Sequence, residues 1–161
     1  MPEPAAPPEA APVADYFPLA VPREKQIKAM DFITRASAGG YQDIVIAAPT
    51  GIGKTGIGVA SCLWGVENGA PGSVGGYYLV TQKLLQDQLE HDFSEFINRF
   101  SGLGASLKSS IEYPCPRHGT CMVGGKSKPS CSLRKTGGCP YRNAHEHFCA
   151  KPVAVTNYPF F

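Results

Sequence analysis

Residues 43–55 read Asp-Ile-Val-Ile-Ala-Ala-Pro-Thr-Gly-Ile-Gly-Lys-Thr. Asp43 to Ala48 is a short apolar run rich in β-branched residues. It suits a strand buried on both faces, as in a parallel sheet. A Gly-rich turn follows, then a helix from about Thr55 to Asn68 that Gly69 stops. Strand, Gly-rich turn, helix is the setting in which Ala48 to Thr55 can cradle a nucleotide phosphate chain. Gly51 and Gly53 let the backbone curl close to the phosphates. The following helix directs its N-terminal dipole at them. Pro49, Thr50, Gly51, Ile52 and Gly53 would form the cradle, Lys54 would reach the β/γ-phosphates, and Thr55 would ligate Mg²⁺. The motif has Gly where this chain has Ala48, a minor departure because Gly-Lys-Thr carries most of the chemistry. Gly51-Ile-Gly53-Lys-Thr-Gly56 also fits the dinucleotide fingerprint, but that reading expects a carboxylate at the end of the next strand. Thr81-Gln82-Lys83 stands there instead.

Upstream, Pro22 and Gly39-Gly40 bracket a helix with Ile27, Met30, Ile33 and Ala29 on its stripe. Arg23 and Gln26 share one face of that helix. A Gln amide can donate to and accept from an adenine edge at once. The spacing alone favours a solvated face. Residues 1–14 are mostly Pro, Ala and Glu and read as a disordered tail, with the fold beginning near Tyr16.

Downstream, Tyr77 to Thr81 reads as a second strand. Gln82 to Phe100 reads as an amphipathic helix with Leu85, Leu89, Phe93, Phe96 and Phe100 near one face. Residues 102–138 lack periodicity. A helix at Tyr141–Ala150 and a strand at Val153–Thr156 restore order. The pattern is α/β.

The irregular stretch holds Cys115, Cys121, Cys131 and Cys139, separated by five, nine and seven residues. Loops this long rarely hold themselves together, so the cysteines read as a ligand set. Disulfides need an oxidising compartment, which a phosphate loop argues against. Zinc sites favour close Cys-x-x-Cys pairs, absent here, although His118, His145 and His147 are further candidates. Iron–sulfur clusters accept wider spacings. Spacing alone leaves zinc and iron–sulfur even. His145-Glu146-His147 is not a zinc-protease motif and reads as a solvated helix face. Cys62 and Cys149 read as packing residues.

The 161 residues carry a net charge of +2, but the total is a cancellation. Residues 1–101 hold 7 Lys/Arg and 11 Asp/Glu, a net −4, and residues 102–161 hold 8 and 2, a net +6. With 43% hydrophobic and 17% charged residues, general disorder is excluded. No run approaches the ~20 apolar residues of a membrane span. No basic-then-apolar leader opens the chain, so a secretory signal is not expected.

The order Arg23-x-x-Gln26, Ala48–Thr55, Tyr78-Leu-Val-Thr81-Gln82 with Leu85-Gln86-Asp87-Gln88-Leu89, Tyr113-Pro114-Cys115, the later cysteines with Cys139-Pro140-Tyr141, and Val153-Ala-Val-Thr156-Asn157-Tyr158 resembles the start of the superfamily 2 iron–sulfur DNA helicases of the XPD and DinG type. The resemblance covers about residues 16–161. It implies a RecA-like P-loop NTPase lobe over 15–101 and 151–161, interrupted by an iron–sulfur insert at 102–150. Arg23 and Gln26 would sense adenine. Lys54 and Thr55 would serve ATP and Mg²⁺. Cys115, Cys121, Cys131 and Cys139 would hold a [4Fe–4S] cluster. Thr81, Gln82 and Lys83, with Arg117, Lys126 and Lys128 of the basic insert, would contact single-stranded or forked DNA. Such a cluster with its thiolates adds about −2 of charge, which the insert's basic residues would outweigh. A cytoplasmic or nucleoid-associated protein follows.

The family's Asp-Glu-Ala-His box is expected after Thr156-Asn157-Tyr158, and the second lobe supplies an arginine finger. Neither lies within these residues, and Asp87 and Asp92 are poor stand-ins on a helix. Turnover is therefore expected only with downstream motor regions. The alternatives are a non-helicase P-loop ATPase, or a non-hydrolysing DNA-binding module, with a structural Cys₄ zinc site.

Overall fold

The computed structural model describes residues 11–69, 76–92, 104–117, 119 and 131–157. The chain divides into two compact units, Met1–Ser73 and Val74–Phe161.

The first unit is built on two helices, α1 (Glu24–Ala38) and α2 (Lys54–Asn68). Arg23 caps α1 and Gly39 closes it, with Gly40 following in the left-handed region at φ 79°. Gly69 closes α2, as its position in the sequence predicts. Met30 from α1 and Ile57 and Ala60 from α2 form the core together with Val13. Ile33, Phe17 and Trp64 pack around them.

Val13 corrects the boundary of the tail. Val13–Tyr16 forms a 3-10 turn, and Val13 is wholly buried. Its N–H donates to Thr34 Oγ1 at 3.0 Å, and the Trp64 indole N–H donates to Ala11 O at 2.5 Å. Apolar burial and two hydrogen bonds outweigh the Pro/Ala composition that argued for disorder through residue 14.

Asp43–Ala48 also differs from expectation. It forms no strand among the described residues. Ile44 and Ile46 are half-buried, while Val45 is 88% exposed. A strand buried on both faces needs a neighbour on each edge, and the described part of the first unit holds no other strand. A groove of about 450 Å³ lies along the segment, lined by Phe32, Arg35, Ala36 and Tyr41 together with Asp43, Ile44 and Val45.

The second unit is a parallel sheet of β1 (Gly76–Val80), β2 (Gly104–Ser106) and β3 (Val153–Asn157), in the order β1-β3-β2. Tyr78 lies opposite Val155 on one side of β3, and Ser106 lies opposite Val155 on the other. β3 is buried along its whole length, which suits its apolar Val-Ala-Val start. The chain is thus α/β with a parallel sheet, the coarse architecture its element order predicts.

Helices α3 (Lys83–Asp92), α4 (Ser132–Lys135) and α5 (Pro140–Cys149) complete this unit. Pro140 at the first turn starts α5. Phe148 packs with Leu107 and Ala154, and Tyr113 meets Tyr141 edge-on at 5.6 Å. β2 lies in the stretch read from sequence as irregular insert. Its Gly-Ala-Ser has no periodicity, and pairing with β3 alone makes it a strand. On α3, Leu89 is buried as expected, but Leu85 is exposed and Gln86 is wholly buried. Phe93, Phe96 and Phe100 lie outside the described residues. Among the described residues no helix is long and apolar enough to cross a membrane.

Candidate functional site

The turn between Ala48 and α2 is held by its glycines. Gly51 has φ 79° and Gly53 φ 84°, while Ile52 between them is not left-handed. Alternation of this kind turns successive N–H groups toward one concave side, where they favour an anion. Gly53 is the N-cap of α2, no side chain caps that helix start, and its first turn carries no acidic residue. Apart from the Gly56 N–H, which Gly53 O accepts, the helix's first N–H groups lack intrahelical partners and attract negative charge. Lys54 is exposed at this point, and Thr55 beside it is half-buried. Lys54 Nζ donates to Ala48 O and Pro49 O, both at 3.0 Å. This holds the ammonium against the carbonyls that open the turn.

The start of α1 braces the same turn. Arg23 Nη1 donates to Gly51 O at 3.2 Å, and Gln26 Nε2 donates to Gly53 O at 3.3 Å. Gln26 Oε1 accepts the Arg23 N–H at 2.8 Å, half of a capping box. Gln26 is only 5% exposed. The solvated face that spacing favoured is therefore wrong for Gln26 and right for Arg23, which stays exposed. A cleft of about 420 Å³ opens alongside, lined by Arg23, Glu24, Lys25 and the run Pro49–Ile52. That volume lies in the range of small-molecule sites. Glu24 and Lys25 were not singled out from sequence. Their only signal is their place at the start of the helix that carries Arg23.

In the second unit, Thr81, Gln82 and Lys83 are exposed where β1 hands over to α3. Gln82 O accepts the N–H groups of Leu85 and Gln86. Lys83 forms an ion pair with Glu112 at 2.6 Å. Behind them lies a polar network that the sequence did not announce. Gln86 Nε2 donates to Ser106 Oγ at 2.6 Å and to Leu107 O at 3.0 Å, and Thr156 Oγ1 donates to the same carbonyl. Ser106 Oγ donates to Glu90, and Lys108 Nζ bridges Asp87 at 2.7 Å and Glu90 at 2.8 Å. The hydrogen bond from Lys108 holds the Asp87 carboxyl below the usual range. Burial pulls Lys108 down, but its bonds to the two carboxylates more than offset this and raise it overall.

Three of the four cysteines read as ligands are described, and all three thiols are free and half-buried. Cys115 pairs with Gly119 through two backbone hydrogen bonds, across a turn that exposes Arg117. Cys131 precedes α4, and Cys139 is the N-cap of α5. Cys121, His118, Lys126 and Lys128 lie outside the described residues. Among the described residues no three His, Cys, Asp or Glu side chains are grouped to hold a metal. Cys62 packs on α2, and burial pushes its thiol up to about 11. Cys149 does not pack as expected: it is exposed at the last position of α5, its Sγ 3.7 Å from His145 Nδ1. His145, Glu146 and His147 are exposed, as a solvated face requires.

Comparison with protein-family models, with curated proteins and with solved structures gave no match to the chain.

Proposed function

We propose that residues 48–55 bind the phosphates of ATP with Mg²⁺, as the nucleotide cradle of an iron–sulfur DNA helicase of the XPD and DinG type. The observation that carries the reading is the pair of left-handed glycines leading into the start of α2, with the Lys54 ammonium held at the carbonyls of Ala48 and Pro49. A phosphate oxygen competes with Ala48 O and Pro49 O for the Lys54 ammonium. It wins because a charged acceptor roughly doubles the strength of the bond. The N–H groups of the turn and of α2 take the remaining phosphate oxygens. Thr55 supplies a hydroxyl to Mg²⁺, and the adjoining cleft has room for the nucleoside.

The cluster and DNA parts of the proposal rest on motif order. Cys115, Cys131 and Cys139 are free thiols of the second unit, the ligand type soft metals prefer, although they are not grouped among the described residues. With Cys121 they would hold a [4Fe–4S] cluster, whose binding would supply folding energy to its loop. Thr81 and Gln82 offer exposed polar groups to a DNA strand, and Arg117 an exposed charge.

Titrating the full chain with Mg·ATP tests the cradle. Micromolar to millimolar binding is expected, and Lys54→Ala should abolish it. Normal binding by that variant would refute the assignment. Iron analysis and a broad absorption near ~400 nm after anaerobic purification test the cluster. Colourless protein with one equivalent of zinc would favour the Cys₄ zinc alternative.

A further inference from the structure

We infer that Gln26 is a positioning residue for the phosphate-binding turn, acting through Gly53 whatever base the nucleotide carries. The inference rests on the cradle reading above and assigns Gln26 a task other than reading adenine. An amide that reads a base must turn a free N–H and a free lone pair toward the ligand. Gln26 is nearly sealed from solvent, and both ends of its amide are engaged with backbone. Oε1 holds the Arg23 N–H, fixing the start of α1. Nε2 holds Gly53 O, the carbonyl of the left-handed residue that caps α2.

The hold on Gly53 bears directly on phosphate binding. Gly53 O also accepts the Gly56 N–H at 3.2 Å, so the carbonyl sets the first turn of α2. A Cβ at residue 53 would run into Gln26 Nε2, so the amide lies hard against the bend. Arg23 makes the matching bond to Gly51 O, but from an exposed position open to competition by water. Gln26 is therefore the desolvated brace of the two, and the N–H groups that would meet phosphate are aimed by it.

The test uses the full chain and three probes with Mg²⁺: ATP, GTP and inorganic tripolyphosphate. Gln26→Glu keeps the acceptor for the Arg23 N–H but faces Gly53 O with a carboxylate, and Gln26→Ala removes both bonds. Each variant should weaken all probes that the wild type binds by a similar factor, about three- to tenfold for one lost buried hydrogen bond. Affinities are taken for the folded fraction, fixed by urea denaturation, and amide exchange should rise across residues 50–55. Loss confined to ATP would overturn the inference in favour of adenine reading. Unchanged affinity of the folded fraction would overturn it in favour of a purely structural role. Should the wild type bind none of the probes, or Lys54→Ala bind them normally, the cradle reading itself fails. If Gln26→Ala does not fold, Gln26→Glu, which retains the cap on α1, decides the matter.

Discussion

Gln86 on α3 and Ser106 on β2 are joined by a 2.6 Å hydrogen bond inside the second unit, and the same amide nitrogen reaches Leu107 O. The side chain is wholly buried beside the sheet, where an apolar residue is the usual occupant. Replacing Gln86 by Ala removes these bonds and leaves a void. A loss of about 2–4 kcal/mol is expected in urea denaturation. Gln86→Leu fills the space and leaves Ser106 Oγ bonded to Glu90 and Leu107 O to Thr156, but takes one donor from each, so it should lie between that variant and the wild type.

The Lys108 cluster makes stability depend on pH at two ends. Asp87 is held below its ordinary value of 3.8, so its contribution is complete above that pH and fades as pH falls further. Lys108 is held above its ordinary 10.5, so its contribution is complete below that pH and fades as pH rises past it. Urea midpoints should form a plateau between these limits. Lys108→Met should flatten both shoulders, which a pH series of denaturation curves will read.

Two glycines of the first unit should respond to alanine in opposite directions. Gly53 sits at φ 84° against Gln26, so Gly53→Ala should cost about 1–2 kcal/mol and weaken phosphate binding. Gly65, within α2, has open space where a Cβ would stand. Gly65→Ala should add about 0.5–1 kcal/mol, because helical alanine loses less conformational entropy. Thermal melts of the two variants give the comparison directly.

The anchoring of the N-terminal segment predicts a coupled change in stability and fluorescence. Val13→Ala removes two buried methyl groups and should cost about 2 kcal/mol. Loss of the Trp64 contact to Ala11 O should shift the emission of Trp64 early in denaturation.

Alkylation should separate two cysteines. Cys149 is exposed and should react readily with iodoacetamide at pH 8. Cys62, pushed up to about 11 by burial, should stay unmodified until the chain unfolds. Peptide mapping by mass spectrometry distinguishes the two.

What was legible in the sequence was local. Gly39 and Gly69 end their helices, a common place for glycine, although α2 also carries Gly56, Gly58 and Gly65 within it. β3 was legible because Val-Ala-Val has no polar face. β2 was not, because Gly-Ala-Ser becomes a strand through its neighbour and not through its own preference. Gln86 was hidden for a related reason: a polar residue in an apolar stripe looks solvated until its partners 20 and 21 residues away are known. Gln26 shows the same limit at the candidate site. Its partner, Gly53, is 27 residues distant, and spacing along α1 could not reveal it. Asp43–Ala48 erred in the other direction, since a strand's propensity was present without a ladder to join.

That last segment also bears on how the protein behaves in a tube. Ile44-Val45-Ile46 is β-branched and uncharged, and it presents Val45 to water. Short segments of this kind are templates for stacking between copies. Concentration, more than temperature, should then set the shelf life of a preparation, and turbidity should begin sooner as protein is concentrated. A charge at Val45, as in Val45→Lys, should lengthen that lag while leaving the cores of both units as they are.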